Sequence, residues 1–168
     1  FSLRLNEAIA DFGITALGYE ENYLTVAELH TYEEKLNVKT FVAMNDKISG
    51  FRATKEDWEL DIMRKAQDIT DKTFSEVLTK IKAGMTEKEL QAELIYCLYK
   101  NGADGPSFDP IVVSGPNTSL PHGVAGERVI CEGDFVTMDF GASYMGYCSD
   151  MTRTVAVGFA TEEMKTIY

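Results

Sequence analysis

Apolar residues in the first fifty positions change period several times. Leu3, Leu5, Ala8, Ile9 and Phe12 fall at helical spacing, and Gly13 closes that run. Ile14 to Tyr19 reads as a short buried strand. A second helix opens at Thr25, with Thr25, Val26 and Glu28 at its start, and Leu29, Tyr32 and Leu36 share one of its faces. Thr40 to Met44 is a second short apolar strand. Helix, strand, helix, strand is the pattern of an α/β unit, and nothing in it carries chemistry.

From Lys55 the pattern becomes one long amphipathic helix. Trp58, Leu60, Ile62, Met63, Ala66, Ile69, Phe74, Val77, Leu78 and Ile81 recur near i, i+3, i+4 and i+7, and Gly84 is expected to cap the run. Thr86 and Glu89 form a capping box for the next helix, which runs to Lys100 and closes on Asn101-Gly102. Beyond Asp104 the chain is strand and turn, punctuated at Gly105-Pro106, Gly115-Pro116, Pro121, Gly123 and Gly126. The change of pattern places a boundary near residues 46–54, hence domains 1–50 and 51–168. No internal repeat or low-complexity segment is present.

The chain has 168 residues, enough for a sizeable core, with 45% hydrophobic and 26% charged residues. Its net charge of −11 argues against nucleic acid and anionic membrane surfaces as partners, since both reward clustered Lys and Arg. Cys97, Cys131 and Cys148 are odd in number and widely spaced. They read as reduced thiols of a cytoplasmic protein rather than a disulfide framework. No apolar run reaches the roughly 18 residues of a membrane span. Phe1 at the start and Tyr168 just inside a helical pattern lead to the expectation of a piece of a longer protein.

Chemistry concentrates in Gly133–Val157, GDFVTMDFGASYMGYCSDMTRTVAV, where two β-rich runs flank a Gly-containing turn. A two-residue turn at Tyr144-Met145 would pair Thr137 with Thr152, Met138 with Met151, and Asp139 with Asp150 on one face. Facing carboxylates repel unless one is protonated or a cation lies between them. Hard oxygen donors suit Mn²⁺ and similar divalent ions. A slipped register would send the two Asp to opposite, solvated faces, and paired carboxylates also perform acid–base work as in glycosidases. Spacing alone leaves these three readings open. A second cue is Ser119-Leu120-Pro121-His122-Gly123, which sets His122 in a loop bounded by Pro and Gly. His30, the other histidine, falls on the polar side of its helix and reads as surface.

The order SFDPIVVSGPNTSLPHG followed by GDFVTMDFGASYMGYCSDMTRT resembles the Xaa-Pro peptidase branch of the pita-bread metallopeptidases, the proline dipeptidases and aminopeptidase P. Upstream, KISGFRATKEDWELDIMRKAQDITDKTF resembles that family's linker and first helix. The likeness covers essentially the whole chain. It implies an α/β (α+β) architecture: the end of a small creatinase-like α/β domain, then the first half of a pita-bread domain. Asp139 and Asp150 match the family aspartates that hold two divalent metal ions, Mn²⁺ first, with Co²⁺ or Zn²⁺ sharing the same ligands. His122 matches the catalytic histidine that contacts substrate, and Phe108 falls where the family lines its substrate pocket. Tyr147 and Arg153 flank the aspartates as supporting residues, although Arg153 should face away from Asp150 and equally suits a structural ion pair.

The implied activity is hydrolysis of the peptide bond before proline in proline-containing peptides, by a metal-bridged water, with the oxyanion stabilised by the metals and His122. A complete site also needs a histidine and two glutamates. No histidine follows His122, and Glu162 and Glu163 open a helix instead. The expectation is therefore that this chain alone binds metal weakly and is inactive. A homodimer is common in the family, but the sequence shows no interface. The competing class is a pita-bread relative that binds peptides or proteins without cleaving them. Those relatives typically lose the metal aspartates, and this chain keeps both.

Overall fold

The computed structural model describes all of residues 1–168, which divide into two compact units, Phe1–Lys55 and Glu56–Tyr168. In the first unit α1 (Ser2–Asp11), β1 (Ala16–Tyr19), α2 (Val26–Lys35), β2 (Thr40–Ala43) and α3 (Asn45–Ala53) follow in order. β1 and β2 pair in parallel with α2 as the crossover. Thr25 caps α2 by accepting from the Glu28 amide while Glu28 receives the Thr25 amide, a reciprocal capping box. Where the sequence suggested a linker near 46–54, the structure has α3. Its N-terminus is held by the Glu21 carboxylate, which accepts from the Met44 and Asn45 amides. That partner lies far away in sequence, so no local cap signal announces the helix. The division consequently falls after Lys55 rather than at residue 50.

The second unit opens with α4 (Asp57–Leu78) and α5 (Glu87–Lys100). α4 ends at Leu78, short of the Gly84 stop expected from periodicity, and Gly84 instead sits in the following turn at φ 95°. The buried face of α4 is Ala66, Ile69, Thr70, Thr73 and Val77, while Trp58 remains largely exposed. Two threonines on a core face are tolerated because each finds a partner. The Thr70 and Ser149 hydroxyls lie 2.6 Å apart, and Asn101 donates to Thr73. α5 carries the Thr86–Glu89 capping box and ends on Asn101, with Gly102 at φ 99° completing the left-handed stop.

The strands that follow form two three-stranded antiparallel sheets. β4 (Ile111–Ser114), β5 (Phe135–Phe140) and β8 (Met151–Ala156) form one, with β5 in the centre. β3 (Gly105–Pro106), β6 (Ala142–Tyr144) and β7 (Tyr147–Cys148) form the other. A short 3₁₀ helix spans Gly115–Ser119, and α6 (Glu162–Ile167) follows β8. Val136, Met138 and Phe140 alternate inward from β5 onto Leu90, Leu94, Leu98 and Ile69 of the two long helices. The strand therefore presents Phe135, Thr137 and Asp139 on its other face. No helix is long and apolar enough to cross a membrane.

Candidate active site

The hairpin that carries the aspartates turns at Met145-Gly146, one residue later than the sequence suggested. Tyr144 pairs with Tyr147, and both turn residues have positive φ, 49° and 82°. Two-residue hairpins favour that geometry because its twist matches the strands, and glycine takes the second slot without penalty. The turn fixes the register. Asp139 stands opposite Thr152, not Asp150, Thr137 opposite Thr154, and Met138 opposite Arg153.

A register shift of two preserves the face. Ser149 and Met151 are buried towards α4: Ser149 meets Thr70 and the Ala66 carbonyl, and Met151 meets Gln67. Asp150, between them, therefore points to the other side, the side of Asp139. The two carboxylates are diagonal neighbours rather than a facing pair, which lowers their repulsion. Thr152 donates to Asp139 Oδ1 at 2.7 Å and leaves Oδ2 without a protein partner. Asp150 is exposed and makes no hydrogen bond or ion pair. Along the same face the Thr137 and Thr154 hydroxyls meet at 2.9 Å.

Gly141 permits this arrangement. A Cβ there would lie 1.8 Å from the Ser149 carbonyl oxygen and 2.4 Å from Ser107 Oγ, so only glycine lets the two arms approach beside Asp150. The Ser107 hydroxyl donates to that same carbonyl at 2.8 Å.

His122 lies in the loop between the 3₁₀ helix and Gly126, with an exposed side chain. With Gln91, Ile95, Asp109, Pro110, Ile111, Gly123 and Val124 it lines a cleft of about 400 Å³. Ile111 is also the β4 residue paired with Asp139, so the cleft adjoins the aspartate row through one strand. Gly123 brings the loop down onto the sheet, because a Cβ there would stand 2.6 Å from Val113 Cγ1. Phe108 is half-buried just before Asp109 and does not line this cleft.

The two supporting candidates lie elsewhere. The Tyr147 hydroxyl donates to the Glu59 carboxylate on α4, with its ring packed edge-on to Trp58. That bond, reinforced by burial, holds the Tyr147 phenol above its ordinary pKa. Arg153 shares its side of the sheet with Met138, opposite to Asp139, and donates only to the Thr152 carbonyl at 2.8 Å; it forms no ion pair. Sequence reasoning missed Thr152, whose role depends on the register, and Glu87, which lies in the first turn of α5 with partners distant in sequence. His30 is exposed on α2, as expected.

The donor set on this face is hard oxygen, suited to a divalent cation. No group of three or more His, Cys, Asp and Glu side chains capable of holding a metal forms within the chain.

Residues 61–168 match metallopeptidase family M24. The chain is 41% identical over 162 residues to the uncharacterized peptidase YqhT of Bacillus subtilis, covering 96% of this chain and 46% of that protein. It is 40% identical over 156 residues to the Xaa-Pro dipeptidase of Pyrococcus horikoshii, covering 93% and 44% respectively. The solved structure of an Xaa-Pro dipeptidase from Bacillus anthracis superposes with a TM-score of 0.93 at 41% identity, covering 99% of this chain and 47% of that one. The chain thus spans about half the length of the curated relatives it matches, and its mixed α/β fold is shared with part of the pita-bread dipeptidases. Since the family model matches residues 61–168, well over half of its length, this chain belongs to metallopeptidase family M24.

Proposed function

We propose that this chain supplies Asp139, Asp150 and His122 to a metal-dependent peptidase site that hydrolyses the peptide bond preceding proline. The observation that carries the reading is the polar face of the β5–β8 hairpin, where both aspartates point the same way beside the His122 cleft. Similarity to proteins named Xaa-Pro dipeptidase supports the substrate class.

Asp139 and Asp150 would hold divalent metal, Mn²⁺ by the hardness of their oxygens. Bound there, the metal would acidify a water to give a nucleophile at neutral pH. Thr152 fixes the Asp139 carboxylate by occupying Oδ1, so that Oδ2 is presented in a set direction. His122, on its exposed loop, donates a hydrogen bond to the reacting carbonyl or the leaving nitrogen. The cleft beside it, walled by Ile95, Pro110, Ile111 and Val124, gives apolar surface against which a peptide side chain or proline ring can pack. Tyr147 and Arg153 take no part in holding metal, since one is committed to Glu59 and the other lies on the opposite face. Three unpaired thiols suit a reducing compartment such as the cytoplasm.

The test is Mn²⁺-dependent hydrolysis of Ala-Pro against Ala-Ala, run on this chain and on a form extended to the full length of the relatives. The extended form is expected to cleave Ala-Pro selectively, and Asp139→Asn to reduce the rate by about 10³-fold or more, the scale of lost transition-state charge stabilisation. An extended form that binds proline peptides without cleaving them would replace this reading with that of a binding module.

A further inference from the structure

Glu87 is fully buried, with 0% of its surface exposed, at the first turn of α5. A buried carboxylate is costly unless its oxygens are satisfied, and here four donors converge on it. Oε1 accepts from the Ser114 amide at 2.7 Å, the Ser114 hydroxyl at 2.9 Å and Asn117 Nδ2 at 3.1 Å. Oε2 accepts from the Gly126 amide at 3.0 Å. Ser114 ends β4 and Asn117 lies in the 3₁₀ helix, so the first oxygen holds the entry to the His122 loop. Gly126 stands at its exit. The donors surround both ends of one segment, and His122 projects from its middle.

Further contacts brace the clamp. Arg128 donates to the Ser114 hydroxyl at 2.6 Å and forms a two-pronged pair with Asp134, at 2.7 and 3.1 Å. The Lys88 amide donates to the Gly126 carbonyl. Gly115 is required at the entry: it sits at φ 51°, and a Cβ would lie 2.4 Å from the Arg128 guanidinium. Between those ends Leu120, Pro121, His122 and Val124 are exposed, while Gly123 is buried against Val113 and Ala125 reaches the core, so the clamp acts together with that packing.

We propose that Glu87 is the positioning residue for His122: one buried carboxylate joins the two ends of the loop and sets where the imidazole stands over the sheet. Its functional weight rests on the reading of His122 as a substrate-contacting residue. The order of the loop, however, is measurable without substrate or metal, so the two ideas fail separately.

The chain contains only two histidines, and His30 belongs to the other unit, so it serves as an internal reference. Glu87→Gln keeps the shape but replaces one accepting oxygen with an NH₂ donor, which can satisfy only one side of the clamp. The experiment compares aromatic ¹H–¹³C spectra and amide exchange of wild type and Glu87→Gln. The expected result is a displaced or broadened His122 resonance, an unchanged His30 resonance, and exchange at Ser114 or Gly126 faster by about tenfold or more. A folded Glu87→Gln chain with His122 and both amides as in wild type overturns the proposal. Should that variant fail to fold, Asn117→Ala removes one donor and leaves the carboxylate intact. It is expected to move His122 in the same direction by a smaller amount, and an unmoved His122 there also overturns the proposal.

Discussion

Met145 is the single non-glycine residue with positive φ, and it occupies the first slot of the turn that sets the aspartate register. An ordinary side chain pays about 1–2 kcal/mol for left-handed backbone, whereas asparagine adopts it readily. The Met145 amide donates to Asp104 at 2.7 Å, a bond any residue but proline would keep. Met145→Asn should therefore stabilise the second unit by about 1 kcal/mol, read as a raised urea midpoint with an unchanged slope. A lower midpoint would mean that the exposed methionine makes contacts worth more than the strain. Gly141 is the opposite case, because the obstacle to any side chain there is the Ser149 carbonyl, and backbone cannot move aside cheaply. Thr152 shows how one position acquires a role through its neighbour. In sequence it is one of several threonines, and opposite Asp139 it becomes the group that orients a carboxylate.

Among the elements, the β4 end, the His122 loop and the start of α5 are joined by carboxylates. Burial pushes the Glu87 carboxyl up, but its four donors outweigh that, and the net effect lowers it below the ordinary 4.5. Arg128 beside Asp134, with the Cys131 amide, likewise holds that carboxyl below its ordinary 3.8. A carboxyl whose folded pKa is depressed adds stability that is complete above its unfolded value and is lost as pH falls through the folded one. The second unit should therefore hold its stability from neutrality down to about pH 5 and lose it progressively below 4.5 and then 3.8. Urea unfolding followed by tryptophan fluorescence across that range checks this, since Trp58 is the only tryptophan and lies in that unit. Stability that stays level to about pH 3 would contradict it.

For the molecule as a whole, the governing fact is that its polar face carries two candidate metal ligands and no third. Two carboxylates on one open face bind a divalent ion only weakly, because most of the ion's coordination stays with water. This chain is expected to take up Mn²⁺ with an affinity no better than about millimolar, without a saturable one- or two-ion stoichiometry, in isothermal titration. Tight stoichiometric uptake would show that the ligand set closes within the chain or between copies of it. The chain spans about half the length of the relatives it matches.

Much of this was legible from local pattern. Thr86 announced a helix start because a capping box needs only residues three apart. The inward alternation of Val136, Met138 and Phe140 likewise follows from the period of a strand. Family membership was legible too, through the order of motifs around His122, Asp139 and Asp150. What the chain could not announce depends on partners distant in sequence. α3 needs Glu21 to hold its first amides, the α4 face includes Thr70 because Ser149 arrives beneath it, and Glu87 matters because Ser114, Asn117 and Gly126 close around it. The aspartate register turned on one residue of turn placement, since left-handed backbone at both turn positions puts Gly146 inside the turn. Local energetics select the helices and strands, but which polar groups meet is settled only when the folded chain must satisfy every buried donor and acceptor at once.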